Sequence, residues 1–212
     1  MIERYEWLSR LARRVPDGAL VVSTYIGAVG FEWAALTEEH PRSAMLGQMG
    51  DVIGLALGLA LALPKRRIVG LDGDGSVLME LGQLVALGQE APANLVVFVA
   101  DNGVYESIGR GPHGARPTAT AGKADLAAIA RACGVPHSVD VRTMEEFERE
   151  LEAAFAAPGC RFINVRTAPG RARVPPRQAD GIEDKYRFVR YVEKLEGIQI
   201  LRLARQDRQL MK

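Results

Sequence analysis

Aromatic residues make up only 6% of this 212-residue chain. A core with so few rings has to be assembled from Ala, Val, Leu and Ile. Together with 22 glycines, that favours small-residue helices packed closely on strands over an all-β design. Cysteine is scarcer still. Cys133 and Cys160 stand alone and lack the paired spacing of a zinc or iron–sulfur site, so both read as buried thiols. An excess of either charge is also absent. With 27 Lys and Arg against 26 Asp and Glu, the net charge of +1 offers no overall attraction to nucleic acid or to an anionic membrane, so any anion site must be local. The longest apolar run, Val52 to Leu63, is too short to span a bilayer. The N-terminal MIERYEWLSRLARRV is charged and amphipathic rather than a signal peptide. A cytoplasmic protein with neither nucleic-acid nor membrane partners is expected.

What the chain does have is alternation. Residues 2 to 15 place Ile2, Tyr5, Leu8, Leu11, Ala12 and Val15 near one helical stripe, ahead of the turn Pro16-Asp17-Gly18. ALVVST (19–24) reads as a first buried strand, and a helical stretch follows Gly30. Gly47 to Leu63 joins a tight glycine entry to DVIGLALGLALAL, apolar on every face, which predicts a central buried helix. RIVGLDG (67–73) and LVVFVAD (95–101) have the continuous apolar character of parallel strands covered on both sides, with a helix between them. After a glycine-rich loop from Gly109 to Gly122 come ADLAAIARACG as helix, HSVDV as strand, TMEEFERELEAAFAA as helix and RFINVRT as strand. The fold class predicted is α/β, a doubly wound, mainly parallel sheet with helices on both faces. Composition shifts to Pro, Arg and Gly over Pro169 to Gln178, before the amphipathic IEDKYRFVRYVEKLEG. A domain over 1–168 is therefore expected, followed by an extension over 169–212 that packs on the same subunit or on a partner.

The strongest local signal is GDGS at 73–76, at a predicted strand end, where two glycines let backbone amides approach an anion. An ordinary turn whose Asp caps the next helix would look the same. Asn102, however, lies 28 positions after Asp74 and directly after the next predicted strand, so a doubly wound sheet puts both at neighbouring carboxyl ends. The Asp74 carboxylate, the Asn102 side-chain oxygen and a main-chain carbonyl near Val104 are hard oxygen ligands of the kind Mg2+ prefers, with positions left for two phosphate oxygens and water. A metal-bridged diphosphate is predicted, bounded by Gly73, Asp74, Gly75, Ser76, Asn102, Val104 and Tyr105.

The pairing of GDGS (73–76) with DNGVY (101–105) resembles the signature of thiamine-diphosphate enzymes. GQMGDVIGLALGLAL (47–61) resembles the family segment in which a glycine carbonyl contacts the aminopyrimidine and a bulky apolar residue wedges beneath the cofactor. The resemblance implies those roles for Gly47 and Met49, although Met49 read alone is a gap-filling core side chain. DNGVYESIG, RPTAT and DLAAIARACGV resemble sulfopyruvate decarboxylase β subunits and the related phosphonopyruvate decarboxylases, over about residues 45 to 165. The chain departs from them at an apparent insertion, RGPHGA, and at Arg116, where the pattern has Gln. Arg110, His113 and Arg116 could hold the carboxylate or distal anion of a 2-oxoacid; a solvated loop is the plainer alternative.

The resemblance implies a decarboxylase in which thiamine diphosphate, held through Mg2+, carries the difficult chemistry. It also implies an activating glutamate from a pyrimidine-binding domain, for which 212 residues leave no room. Glu32, Glu38 and Glu39 read as helix-surface or capping residues, so no catalytic residue is assigned to this chain. The expected protein is a β-type subunit of a heteromeric 2-oxoacid decarboxylase, with a separate pyrimidine-binding α subunit, a small 2-oxoacid substrate and a tendency to self-associate. An acetolactate-synthase-like carboligase subunit and a non-catalytic binder of a diphosphate cofactor are the alternatives.

Overall fold

A computed structural model describes residues 1–25, 27–106, 114–175 and 180–201. In chain order the strands are β1 (Leu20–Thr24), β2 (Ser43–Leu46), β3 (Ile68–Gly73), β4 (Leu95–Asp101), β5 (Val104–Tyr105), β6 (Arg116–Pro117), β7 (His137–Val141) and β8 (Arg161–Arg166). Six of them form one sheet in the order β2-β1-β3-β4-β8-β7, and every pairing in it is parallel. β5 and β6 form a separate antiparallel pair. Parallel neighbours need crossovers, and here these are helices on both faces, so β1, β3 and β4 are apolar along most of their length and almost wholly buried.

One face carries α1 (Arg4–Arg14), α2 (Ala28–Leu36) and α7 (Met144–Ala156), whose Trp7, Trp33 and Phe147 pack against Val69, Phe98 and Ile163 of the sheet. The expected stripe of the first helix is rotated. Trp7 is fully buried while Tyr5 points outward, because the sheet-facing positions are Arg4, Trp7, Leu8 and Leu11. α7 starts on a capping box, in which Thr143 accepts from the Glu146 amide and Glu146 reaches back to the Thr143 amide.

The opposite face carries α3 (Asp51–Ala62), α4 (Asp74–Met79), α5 (Gly82–Glu90), α6 (Leu126–Ala132) and α8 (Gly181–Glu196). α3 was expected to be buried all round, and it is not. Val52, Ile53, Ala56, Leu57 and Ala60 face the sheet, whereas Leu55 and Leu61 lie on the outer side, 38% and 50% exposed. A single layer of helices covers each side of the sheet, so a helix in that layer has an outward face whatever its composition. β2 was not anticipated either; as a four-residue edge strand it gives little periodic signal. The helix expected between β3 and β4 is two helices, interrupted at Glu80 and Leu81.

α8 opens on Asp180, whose side chain accepts from the Ile182 and Glu183 amides, and closes on Gly197 in the left-handed region. Its Phe188 and Val192 join the core beside β2, so this helix packs on its own chain. Among the described residues no helix is long and apolar enough to cross a membrane.

α5 and α6 approach so closely that a Cβ added at Gly88 would lie 1.9 Å from the Cys133 carbonyl oxygen. Gly88→Ala is therefore expected to destabilise the fold by about 1–3 kcal/mol or more, read as a lower urea midpoint at unchanged slope. Of the two thiols only Cys160 is fully buried, and burial pushes it up to about 11. Cys133 is half-buried, at the end of the short α6.

Candidate functional site

The chain leaves β1 toward β2 and leaves β3 toward β4, in opposite directions across the sheet. This opens a crevice at the carboxyl ends of β1, β3 and β4, where α/β sheets bind ligands. A pocket of about 60 Å3 occupies it. Of the residues singled out in the sequence, Met49, Gly73, Asp74, Gly75, Ser76, Asn102, Val104 and Tyr105 line this pocket. Its remaining wall comes from the β1–α2 turn, including Thr24, Gly27 and Ala28, and from Arg4 and Glu106. None of these was anticipated. The volume suits an ion with a few waters rather than the roughly 300–1,000 Å3 of a complete small-molecule site.

Asp74 is the first residue of α4 and only 2% exposed. Its Oδ2 accepts from the Thr118 hydroxyl at 2.6 Å and lies 2.8 Å from the Thr120 hydroxyl. Burial is the main force raising the Asp74 carboxyl above its ordinary range; Asp101 adds repulsion, and the threonine hydroxyls pull the other way. The neighbouring acids are each provided for. Asp72 accepts from the Gly73 amide and the Ser76 hydroxyl, both at 2.9 Å, and desolvation pushes it up to about 7. Asp101 has the Arg166 guanidinium at 2.8 Å. Among the described residues no cation pairs with Asp74.

Asn102 Oδ1 accepts from the Val104 amide at 3.0 Å, an Asx turn that Gly103 completes at φ +70°. The Gly103 carbonyl accepts from the Thr118 amide at 2.9 Å, tying the turn to the β5–β6 pair. Gly75 lies so close to the Tyr105 ring that a Cβ there would be 2.4 Å from it, so a side chain at this position would displace the ring.

Gly47 does not line this pocket. It is exposed, at the edge of an apolar groove shared by Leu46, Leu55 and Phe188. Arg116 is exposed on β6 opposite Tyr105 and also stays outside the pocket. Arg110 and His113 lie outside the described residues.

The expectation for Glu32 is corrected. It is a buried partner of Arg4, with contacts at 3.1 and 3.3 Å, rather than a helix-surface or capping residue. Arg4 also reaches Glu106 at 3.3 Å and the Gly170 carbonyl, while Glu106 accepts from the Gly170 amide and Glu32 from the Ala172 amide. A cationic residue at the head of the stripe Arg4, Leu8, Leu11 was the available sign of a buried charge. Glu38 and Glu39 fit the surface reading better, each with positive φ in the turn after α2.

A divalent cation fits Asp74 on charge, since that buried carboxylate is without a described counter-ion. Among the described residues no three His, Cys, Asp or Glu side chains converge to hold a metal. An ion at Asp74 and Asn102 would therefore need further oxygens, which a diphosphate can supply.

Comparison with known proteins agrees with this geometry. Residues 24–165 match the family model described as thiamine pyrophosphate enzyme, C-terminal TPP binding domain. The chain is 39% identical over 163 residues to a protein named phosphonopyruvate decarboxylase from Streptomyces viridochromogenes; the match covers 77% of this chain but only 39% of that relative. It is 30% identical over 192 residues to a protein named sulfopyruvate decarboxylase subunit beta from Methanocaldococcus jannaschii, covering 91% of this chain and 98% of the relative. A solved structure of the Rhodococcus jostii RHA1 thiamine diphosphate-dependent 4-hydroxybenzoylformate decarboxylase superposes with a TM-score of 0.65 over 80% of this chain and 33% of the other. At 23% identity this speaks for the fold alone. Strand order, the pocket at the tips of β3 and β4, and the match over 24–165 lead to one assignment: the chain belongs to the family of C-terminal TPP-binding domains of thiamine pyrophosphate enzymes.

Proposed function

We propose that this chain is the β-type subunit of a heteromeric, Mg2+- and thiamine-diphosphate-dependent decarboxylase of 2-oxoacids resembling sulfopyruvate or phosphonopyruvate. The observation that carries the reading is the pairing of Asp74 and Asn102 at adjacent strand tips in one pocket, with the Asp74 carboxylate buried and without a described cation. The near-complete coverage of the sulfopyruvate decarboxylase subunit beta supports the heteromeric form.

In this reading Asp74, Asn102 and the Val104 carbonyl hold the ion. The backbone around Gly73, Gly75 and Ser76 faces the diphosphate, with Tyr105 beside it. Met49, on the pocket wall, supports the rings, and Gly47 is assigned to the aminopyrimidine at the outer edge. When bound, the cofactor supplies the electron sink that decarboxylation needs. This chain's residues anchor one end of it and shield that end from water. The activating glutamate is assigned to a pyrimidine-binding α subunit that closes over the other end. Arg110, His113 and Arg116 are assigned to the anionic groups of the substrate. Residues 1–168 form the cofactor domain and 169–212 the extension, with self-association of the assembled pairs.

The test is to purify the chain with a candidate pyrimidine-domain partner, add Mg2+ and thiamine diphosphate, and assay carbon dioxide release from a panel of 2-oxoacids. Release that requires both chains and favours oxoacids with a second anionic group is expected. Activity from this chain alone would overturn the split site. Acetolactate formation from pyruvate would favour a carboligase, and cofactor binding without any turnover a non-catalytic role.

A further inference from the structure

We propose that Thr118 and Thr120 are positioning residues that engage one oxygen of Asp74, restrict the carboxylate to ligating through the other, and so favour Mg2+ over Ca2+. The inference rests on the reading of Asp74 as a cation ligand.

The two threonines come from the segment that follows β6, 44 and 46 positions after Asp74. Both are nearly buried, at 5% and 6% exposure, and their hydroxyls are 2.8 Å apart. Each lies within hydrogen-bond distance of the same atom, Asp74 Oδ2, and neither contacts Oδ1. Thr120 is in turn 2.7 Å from Asp101 Oδ1. The other oxygen of Asp101 accepts from Asn164 at 2.9 Å and pairs with Arg166. Asn164 and Arg166 also both reach Asp140, at 2.7 and 2.9 Å.

A hydroxyl carries one proton, so Thr120 can donate to only one of the two carboxylates at a time. Thr118 has no second carboxylate among its contacts and donates to Asp74. The Asp101, Asn164 and Arg166 cluster fixes Thr120 from behind, and the threonine pair fixes the rotation of the Asp74 carboxylate.

That restriction matters for metal choice. Mg2+ requires near-octahedral coordination at about 2.0–2.1 Å and suits a carboxylate bound through one oxygen. Ca2+ takes six to eight oxygens and often binds a carboxylate through both. With Oδ2 occupied by hydroxyls, a two-oxygen grip would first have to break those bonds. Partners that orient a ligand from behind typically change metal affinity by about 10–100-fold when removed.

The experiment titrates Mg2+ and, separately, Ca2+ into the full chain with thiamine diphosphate, alone and with the candidate partner. It compares wild type, Thr118→Val, Thr120→Val and Thr118→Ser by calorimetry, with metal-free melting curves as the folding control. The valine variants should bind Mg2+ about 10–100-fold more weakly and Ca2+ with a smaller loss, so that the preference for Mg2+ narrows. Thr118→Ser, which keeps the hydroxyl, should restore it. If either valine variant fails to fold, Thr118→Ala against Thr118→Ser reads the same ratio. Wild-type Mg2+ affinity in the valine variants, or an equal loss for both ions, would overturn the inference while leaving the functional reading intact. If the wild type binds neither ion with the cofactor under either condition, the functional reading falls, and this inference with it.

Discussion

Asp74→Asn is expected to abolish Mg2+-dependent binding of thiamine diphosphate and to leave the fold standing. The side chain is nearly inaccessible, and Thr118 satisfies one of its oxygens, so an amide of the same shape keeps the packing. What it loses is the charge opposite the ion. Removing one member of a buried charge pair costs about 3–5 kcal/mol, which corresponds to roughly two to three and a half orders of magnitude in affinity at about 1.4 kcal/mol per tenfold. Without metal the effect on stability should run the other way. Burial raises the folded-state pKa of Asp74 above its ordinary value of 3.8. Its contribution to stability is therefore complete below that value and is lost as pH rises through the folded pKa. In metal-free melts the variant should match the wild type in acid and become the more stable of the two as pH rises. An unchanged cofactor affinity in calorimetry would contradict the assignment.

Arg4→Met should be the most destabilising single change at the edge of the site. Arg4 is 3% and Glu32 is 1% exposed, so removing the guanidinium leaves the Glu32 carboxylate in the interior with the Ala172 amide still donating to it. The cost of breaking such a pair, about 3–5 kcal/mol, translates for a chain of this size into a melting temperature lower by roughly 6–20 °C. Arg4→Met combined with Glu32→Leu should recover much of the loss, because a buried pair and an apolar replacement of similar volume are often close in energy. The double-mutant cycle reads that coupling directly. Strictly additive effects of the two substitutions would show that the pair contributes nothing of its own.

The features legible in the sequence are those whose signal is local or repeats along the chain. The apolar runs of β3 and β4 are long enough to read as buried parallel strands, and GDGS and Asn102 follow them directly, so a shared strand edge could be inferred without coordinates. Where the signal depends on a distant partner, it could not be read. Glu32 resembles any helix-surface glutamate until Arg4, 28 positions earlier, is brought against it. Thr118 and Thr120 belong to the RPTAT segment that carries part of the resemblance, but only the return of the chain after β6 sets them on Asp74. The part of the β1–α2 turn in the pocket depends on β1 lying next to β3, an order that composition does not encode. α3 is apolar on every face, but that pattern does not decide whether a second layer lies outside, and Leu55 and Leu61 stay on the outer side.

The most direct measurement is the position of a Mn2+ ion substituted for Mg2+, located by anomalous scattering in crystals of the chain with thiamine diphosphate and its partner. The account predicts a single ion about 2.1 Å from both an Asp74 carboxylate oxygen and the Asn102 side-chain oxygen, bridging two phosphate oxygens. An ion or diphosphate bound away from these two side chains would contradict it.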